Sequence, residues 1–269
     1  MNVEDLAREL KTAQDERRPI EPPSARVSGF DSAMAYEVAR LIHEARLREG
    51  AVPVGRKIGF TNREIWPVYG VYEPIWAYVY DTTVARLSGS RGTCRLGRFV
   101  ADPRIEPEII LHFRAAPPLG GDPAAVLACV DWVAHGFEIV QSHFPHWKFQ
   151  AADTIANSSL HGTLLVGEPR PLDTLGDDLI SRLKRFTIAL ACDGTVHDRG
   201  RGANALGSPL AAVAHLTSVL AAQHAGAIQA DELVTTGTLT QAPLIRAGET
   251  WSTALDGIDL PGLSVTFEA

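Results

Sequence analysis

The sequence predicts an α+β protein, with a helical N-terminal portion leading into a mixed, β-rich core. Two observations predict it. Apolar side chains recur at helical spacing early in the chain, and from about Val52 the character changes to short apolar segments bounded by Gly, Pro and Thr. The first helix spans 3–18, where Leu6 and Leu10 lie four apart among charges; Pro19 to Ser28, with Pro22 and Pro23, is a loop. The second spans 31–49, with Val38, Leu41, Ile42 and Ala45 on one stripe and Gly50 after the end. Strands are expected at Val54 to Phe60, Trp76 to Tyr80, Ile105 to Phe113, Gly136 to Val140, Thr187 to Cys192 and Leu233 to Thr236. Asp193-Gly194 is a hairpin turn leading into 195–197, because both residues tolerate positive φ. A last helix starts at Ser208 as N-cap with Pro209 in the first turn, runs through Leu220, and stops before Gly226.

The 269 residues are 45% hydrophobic and 21% charged, with a net charge of -7. That composition suits a folded protein and argues against nucleic-acid binding, which needs clustered Lys and Arg. Cys94, Cys129 and Cys192 are widely spaced and odd in number, so neither a disulfide framework nor a zinc site is expected. The N-terminus is polar and acidic, and the most apolar stretch, about 124–140, is interrupted by Asp131. A cytoplasmic protein with no membrane anchor is the expectation.

The run Arg104-Ile105-Glu106-Pro107-Glu108-Ile109-Ile110-Leu111 carries the most chemical information. A strand repeats every two residues, so Glu106 and Glu108 point to one side while Ile105, Pro107, Ile109 and Leu111 face a core. Alone, such a pair is more commonly a solvated face. A third acid, Glu138, lies in the apolar run Val133 to Val140, where an unpaired carboxylate is expensive to bury. Three carboxylates in one pocket call for a divalent cation, and an all-oxygen donor set suits Mg²⁺ or Mn²⁺. Lys57 is either a solvated strand lysine or an ammonium beside that ion.

Five blocks in order, Gly55 to Thr61, Ile105 to Ile109, Phe137 to Val140, Trp147 through Ala156, and Gly202 to Pro209, resemble the 2-keto-4-pentenoate hydratase and 4-oxalocrotonate decarboxylase family of the fumarylacetoacetate hydrolase superfamily. The resemblance covers about residues 30–267. It implies metal ligands at Glu106, Glu108 and Glu138, an active-site Lys57, and a core of the fumarylacetoacetate hydrolase type at 86–269. Residues 1–85 are then a helical subdomain that contributes Lys57. A lyase acting on a 2-hydroxydienoate or 2-oxo-alkenoate is implied, hydration ahead of decarboxylation, in a homo-oligomer. Alternatives are an acylpyruvate C–C hydrolase and a binding member without chemistry.

The chain also departs from the family pattern. Ile75 stands where hydratases have an acid, His143 where the family has arginine, and Asn157 and Leu160 displace an aspartate and a serine. His161 replaces a small residue and is a pocket candidate, as is Ile75. Thr236 and Thr238, in a Thr-rich segment, are candidates for bonding a substrate carboxylate, with plain β propensity as the competing reading. Trp66, Tyr72, Trp76 and Trp147 are candidates for an apolar wall. His143 and His146 flank a Pro and do not suit metal ligation, and Gly200 to Gly207 lacks the dinucleotide-binding spacing.

Overall fold

The computed structural model describes residues 2–269. Helices α1 (Val3–Glu16), α2 (Pro23–Arg26) and α3 (Ser32–Arg48) precede β1 (Pro53–Gly59), the one-turn α4 (Trp66–Tyr69) and β2 (Ile75–Tyr80). Then come β3 (Val84–Arg86), β4 (Arg91–Arg95), β5 (Arg104–Phe113), α5 (Pro123–Leu127), β6 (Val130–Val140), α6 (Ala151–Ala156), β7 (His161–Val166) and β8 (Arg170–Pro171). The chain closes with α7 (Leu179–Arg185), β9 (Thr187–Cys192), β10 (Thr195–Arg201), α8 (Pro209–Ala222), β11 (Leu233–Thr235), β12 (Thr250–Asp256) and β13 (Ser264–Glu268).

Two sheets organise these strands. The larger runs β2-β1-β11-β5-β6-β7-β3, with β8 also on β6, and the smaller runs β10-β9-β12-β13-β4. The larger sheet crosses the boundary that the sequence places at residue 85, because β1 pairs in parallel with β11 and β11 pairs with β5. The Asp193-Gly194 hairpin forms as expected, with both residues at positive φ. Ser208 caps α8 by accepting from the Ala211 amide at 3.0 Å.

The apolar face of β5 fixes its orientation. Ile109 and Leu111 pack with Phe113, Val133 and the α8 residues Leu210, Val213 and Leu216. Ile105 joins Phe137, Ile139 and, from the smaller sheet, Leu190, Trp251 and Phe267. Each such side chain stabilises the fold by about 1.5–3 kcal/mol, and a one-residue slip would drive the acids into this core. The stretch Gly202–Ala222 is long and apolar enough to cross a membrane. It is core nonetheless, since the same α8 side chains pack inside the protein. The sequence reading placed the most apolar stretch earlier, at 124–140, which folds mainly as β6.

Helices α1 and α3 pack Leu6, Leu10, Val38 and Ile42 onto Ala152, Ile155 and Leu160, at α6 and the turn that follows it. Buried Asp153 anchors this contact, accepting from the Ser24 amide at 2.8 Å and the Ser24 hydroxyl at 2.5 Å. The helical portion thereby braces one wall of the site.

Candidate metal centre

Strand register assembles the centre. Glu106 lies directly opposite Glu138 and Glu108 opposite Gly136 across the β5–β6 pair, all on one face. Like charges in opposed positions repel. Lys57 pairs with Thr235, and Thr235 with Ile110, which brings the lysine to the same face from β1. One carboxylate oxygen from each glutamate lies within 4.8 Å of the others.

The hydrogen bonds leave specific oxygens open. Glu138 Oε1 is 2.8 Å from Lys57 Nζ and 2.7 Å from His161 Nδ1. Glu108 Oε2 accepts from the Thr235 hydroxyl, and from the Gly237 amide at 2.7 Å. Gly237 has φ +93°, and a Cβ there would overlap the Thr61 hydroxyl, so only glycine presents this amide. Glu108 Oε1 and Glu138 Oε2 are buried without any hydrogen-bond partner. Buried acceptors of that kind are costly unless a ligand satisfies them. Lys57 offsets one of three carboxylates. The orphaned oxygens, the charge surplus and the all-oxygen donor set fit Mg²⁺ or Mn²⁺.

Electrostatics follow the same layout. Burial pushes Glu106 up to about 7, reinforced by Glu138 and only partly opposed by Lys57 and Arg104. Burial also raises Glu108, with Glu138 and Glu106 adding to it. Burial would raise Glu138 as well, but Lys57 and His161 outweigh it and hold this carboxylate down at about 2. Burial would lower the Lys57 ammonium, yet the three acids, Glu138 first, raise it above its ordinary range.

A stability test follows from these directions. In metal-free protein, a group raised in the folded state binds its proton more tightly folded than unfolded, so stability falls as pH rises from about 4.5 to about 7. Glu138, shifted the other way, contributes stability above about 4.5 that is lost as pH falls toward about 2. Thermal unfolding of wild type and Glu106→Gln across pH 4.5–8 is expected to show a smaller fall in the variant. Excess Mn²⁺ should abolish the wild-type fall, and identical profiles for the two proteins would refute the assignment.

His161 reaches the cage through a bulge. Ile139 pairs with Thr163, but the register then shifts so that Val140 pairs with His161. Without that shift His161 would face away from Glu138. Its other nitrogen is 2.9 Å from the Thr83 hydroxyl. Ile75 is buried beside Lys57, near Gly59. Thr236 and Thr238 do not present free hydroxyls: they donate to the carbonyls of Ile109 and Thr240, each at 2.9 Å. The physical reason at Thr236 is strand alternation, which turns Thr235 toward the cage instead.

A small cavity of about 20 Å³, the room of one water, opens between Lys57, Glu106, Tyr69, Trp147, Ser159 and Leu160. The Ser159 hydroxyl is buried there without a partner. Of the aromatic residues expected as a wall, Trp147 lines this space, whereas Tyr72 is 64% exposed. Trp76 instead lines a separate cavity of about 870 Å³ between α3, β2 and α8, which contains none of the cage residues. Tyr69 and Ser159 escaped the sequence reading because a one-turn helix and a left-handed turn carry no periodic signal. Behind the cage, His135 is 2.9 Å from the Glu108 carbonyl and 2.8 Å from the Thr253 hydroxyl, tying the two sheets together.

Comparison with known proteins agrees with this architecture. Residues 71–261 match the fumarylacetoacetate (FAA) hydrolase C-terminal family. The chain is 31% identical over 226 residues to 2-hydroxypent-2,4-dienoate hydratase of Pseudomonas putida, covering 81% of this chain and 95% of the relative. It is 30% identical over 214 residues to 4-oxalocrotonate decarboxylase of a Pseudomonas species, covering 80% and 79%. Among solved structures, 4-oxalocrotonate decarboxylase from Pseudomonas putida G7, complexed with magnesium and adipate, superimposes with a TM-score of 0.88 at 24% identity, covering 98% of this chain and 97% of that one. The chain belongs to the fumarylacetoacetate hydrolase family.

Proposed function

We propose that this protein is a divalent-metal-dependent lyase acting on a 2-hydroxydienoate or 2-oxo-alkenoate, with hydration as the first reading and decarboxylation as the second. The observation that carries the proposal is the trio of glutamates with two orphaned buried oxygens, set beside the Lys57 ammonium. A hydratase and a decarboxylase among the relatives, and a structural neighbour complexed with magnesium, support both readings.

Glu106, Glu108 and Glu138 would hold Mg²⁺ or Mn²⁺, and the ion supplies an electrophile for the carboxylate and keto oxygens of a 2-oxo acid. Lys57 holds a proton at Nζ, poised to deliver it to the substrate or to steady the charge that develops as electrons move toward the keto oxygen. His161 and Lys57 together fix Glu138 Oε1, which leaves Oε2 free to ligate. Ile75 beside Lys57 offers no acid to assist water, a feature that favours carbon dioxide loss. The space beside the cage is about 20 Å³ in this structure, with Tyr69 and Trp147 on its outer wall.

The acylpyruvate hydrolase alternative needs a histidine with a free nitrogen near the ion. Among the described residues His161 and His135 approach the cage, and both ring nitrogens of each are already engaged. A cytoplasmic homo-oligomer, with residues 1–85 bringing Lys57 to a core at 86–269, belongs to the same proposal.

The test is a Mg²⁺- or Mn²⁺-supplemented assay of 2-hydroxypenta-2,4-dienoate against 4-oxalocrotonate, following the conjugated absorbance and carbon dioxide together. Metal-dependent loss of absorbance without carbon dioxide is expected. Carbon dioxide release would establish the second reading, and no consumption of either compound would overturn the lyase proposal.

A further inference from the structure

The turn between α6 and β7 is built against backbone preference. Ser158, Ser159 and Leu160 follow one another at φ +54°, +50° and +63°, a left-handed region that is costly for L-residues and that Gly, Asn and Asp visit most readily. None of the three is of that kind. The surroundings hold the run in place: the Asn157 amide donates to the Asp153 carbonyl and the Leu160 amide to the Asn157 carbonyl, each at 3.0 Å, and the Gln141 amide donates to the Leu160 carbonyl at 2.9 Å. The next residue, His161, is tied to Glu138. Strain of this sort persists where the structure over-determines it, and it gathers at ligand sites.

What the run delivers is the Ser159 side chain. It is 2% exposed, lines the small cavity with Lys57 and Glu106, and leaves its hydroxyl without a partner. The other hydroxyls nearby are committed: Thr61 donates to the Thr236 carbonyl, Thr83 to that of Tyr80, and Thr235 to Glu108. Thr236 and Thr238, the sequence candidates for a substrate carboxylate, are engaged with carbonyls too. Among the described residues, Ser159 is the buried aliphatic hydroxyl left uncommitted at the cage.

We propose that Ser159 is a substrate-positioning residue whose hydroxyl donates to the carboxylate of the 2-oxo acid. When the keto oxygen and one carboxylate oxygen face the ion, the second carboxylate oxygen enters the protein in need of a donor, and Lys57 Nζ is already paired with Glu138. A buried donor and a buried acceptor, each costly alone, then satisfy one another. A single carboxylate oxygen takes about the room of one water, which this cavity has. The inference rests on the 2-oxo acid reading of the cage and holds for either lyase reaction, because both substrates carry a carboxylate beside the keto group.

The experiment titrates full-length wild type, Ser159→Ala and Ser159→Gly by calorimetry, first with Mn²⁺ and then, Mn²⁺-loaded, with 2-oxopentanoate, which keeps the head group and has no alkene to react. Glycine adopts φ +50° freely, so it removes the hydroxyl without adding strain and guards against an alanine variant that misfolds. Both variants are expected to bind 2-oxopentanoate about 10- to 100-fold more weakly, the range of a hydrogen bond to a charged group. Their Mn²⁺ affinity should stay within about twofold, since Ser159 shares no partner with the glutamates. Undiminished 2-oxopentanoate affinity in either folded variant, or a matching loss of Mn²⁺ affinity, would overturn the inference alone. So would a loss in Ser159→Ala that Ser159→Gly restores, because the shape of the turn and not its hydroxyl would then be at work. Failure of Mn²⁺-loaded wild type to bind 2-oxopentanoate would overturn the 2-oxo acid reading and this inference with it.

Discussion

Glu108→Gln is expected to fold normally and to bind Mn²⁺ at least about 100-fold more weakly than wild type, more than the 10- to 100-fold lost when outer partners of a metal ligand are removed. Folding should survive because glutamine is the isostere of the protonated acid, the form that burial already favours at this position. The glutamine carbonyl can still accept from the Thr235 hydroxyl and the Gly237 amide. The amide nitrogen then replaces Glu108 Oε1, the buried and unpartnered oxygen, and a donor cannot ligate a cation. Turnover should fall by about 10³, as expected when a main stabiliser of developing charge is removed. Calorimetric titration and a thermal melt check both halves. A folded variant with undiminished Mn²⁺ affinity would remove Glu108 from the cage.

Lys57→Ala should separate chemistry from metal binding. The Nζ contact is to Glu138 Oε1, not to either orphaned oxygen, so the donor set survives the substitution. Mn²⁺ affinity is therefore expected to stay within about tenfold while turnover drops by about 10²–10⁴, the scale of a lost proton-transfer group. Metal-free variant should be destabilised by about 3–5 kcal/mol, because Glu138 is left buried without its main counter-charge, and Mn²⁺ should restore much of that loss. Unchanged turnover would exclude Lys57 from the reaction.

The parts of the site legible in the sequence are those that repeat regularly. Glu106 and Glu108 announce themselves by a period of two flanked by Ile and Pro, and Glu138 by its apolar surroundings. The long helices and the Asp193-Gly194 hairpin carry standard punctuation, and the expected strand at 105–113 forms in full as β5, which starts one residue earlier. What escaped has physical reasons. The strand at 136–140 extends back to Val130, because its outer half carries Asp131 and Trp132, each half-buried. Strands β3, β4 and β8 are too short for a pattern, and β12 mixes Thr, Ser and Trp without clean alternation. Thr235, not Thr236, meets Glu108, a difference of one position in a strand whose phase is set by pairing with β1. Contact between His161 and Glu138 depends on a register shift that no local pattern encodes.

The parallel pairing of β1 with β11 has a consequence for how the protein comes into being. Thr235 and Gly237 meet Glu108 across 127 and 129 residues of chain, and Lys57 pairs with Thr235 across a still longer separation. During synthesis the three glutamates emerge together, whereas the threonine and amide that steady them are made near the end. A ribosome-bound chain therefore carries a loose, strongly acidic trio with its lysine unplaced. Closing such long loops is slow, and the cage cannot be completed before residues 235–237 are made. Until then β5 waits with an open edge at the position β11 will fill.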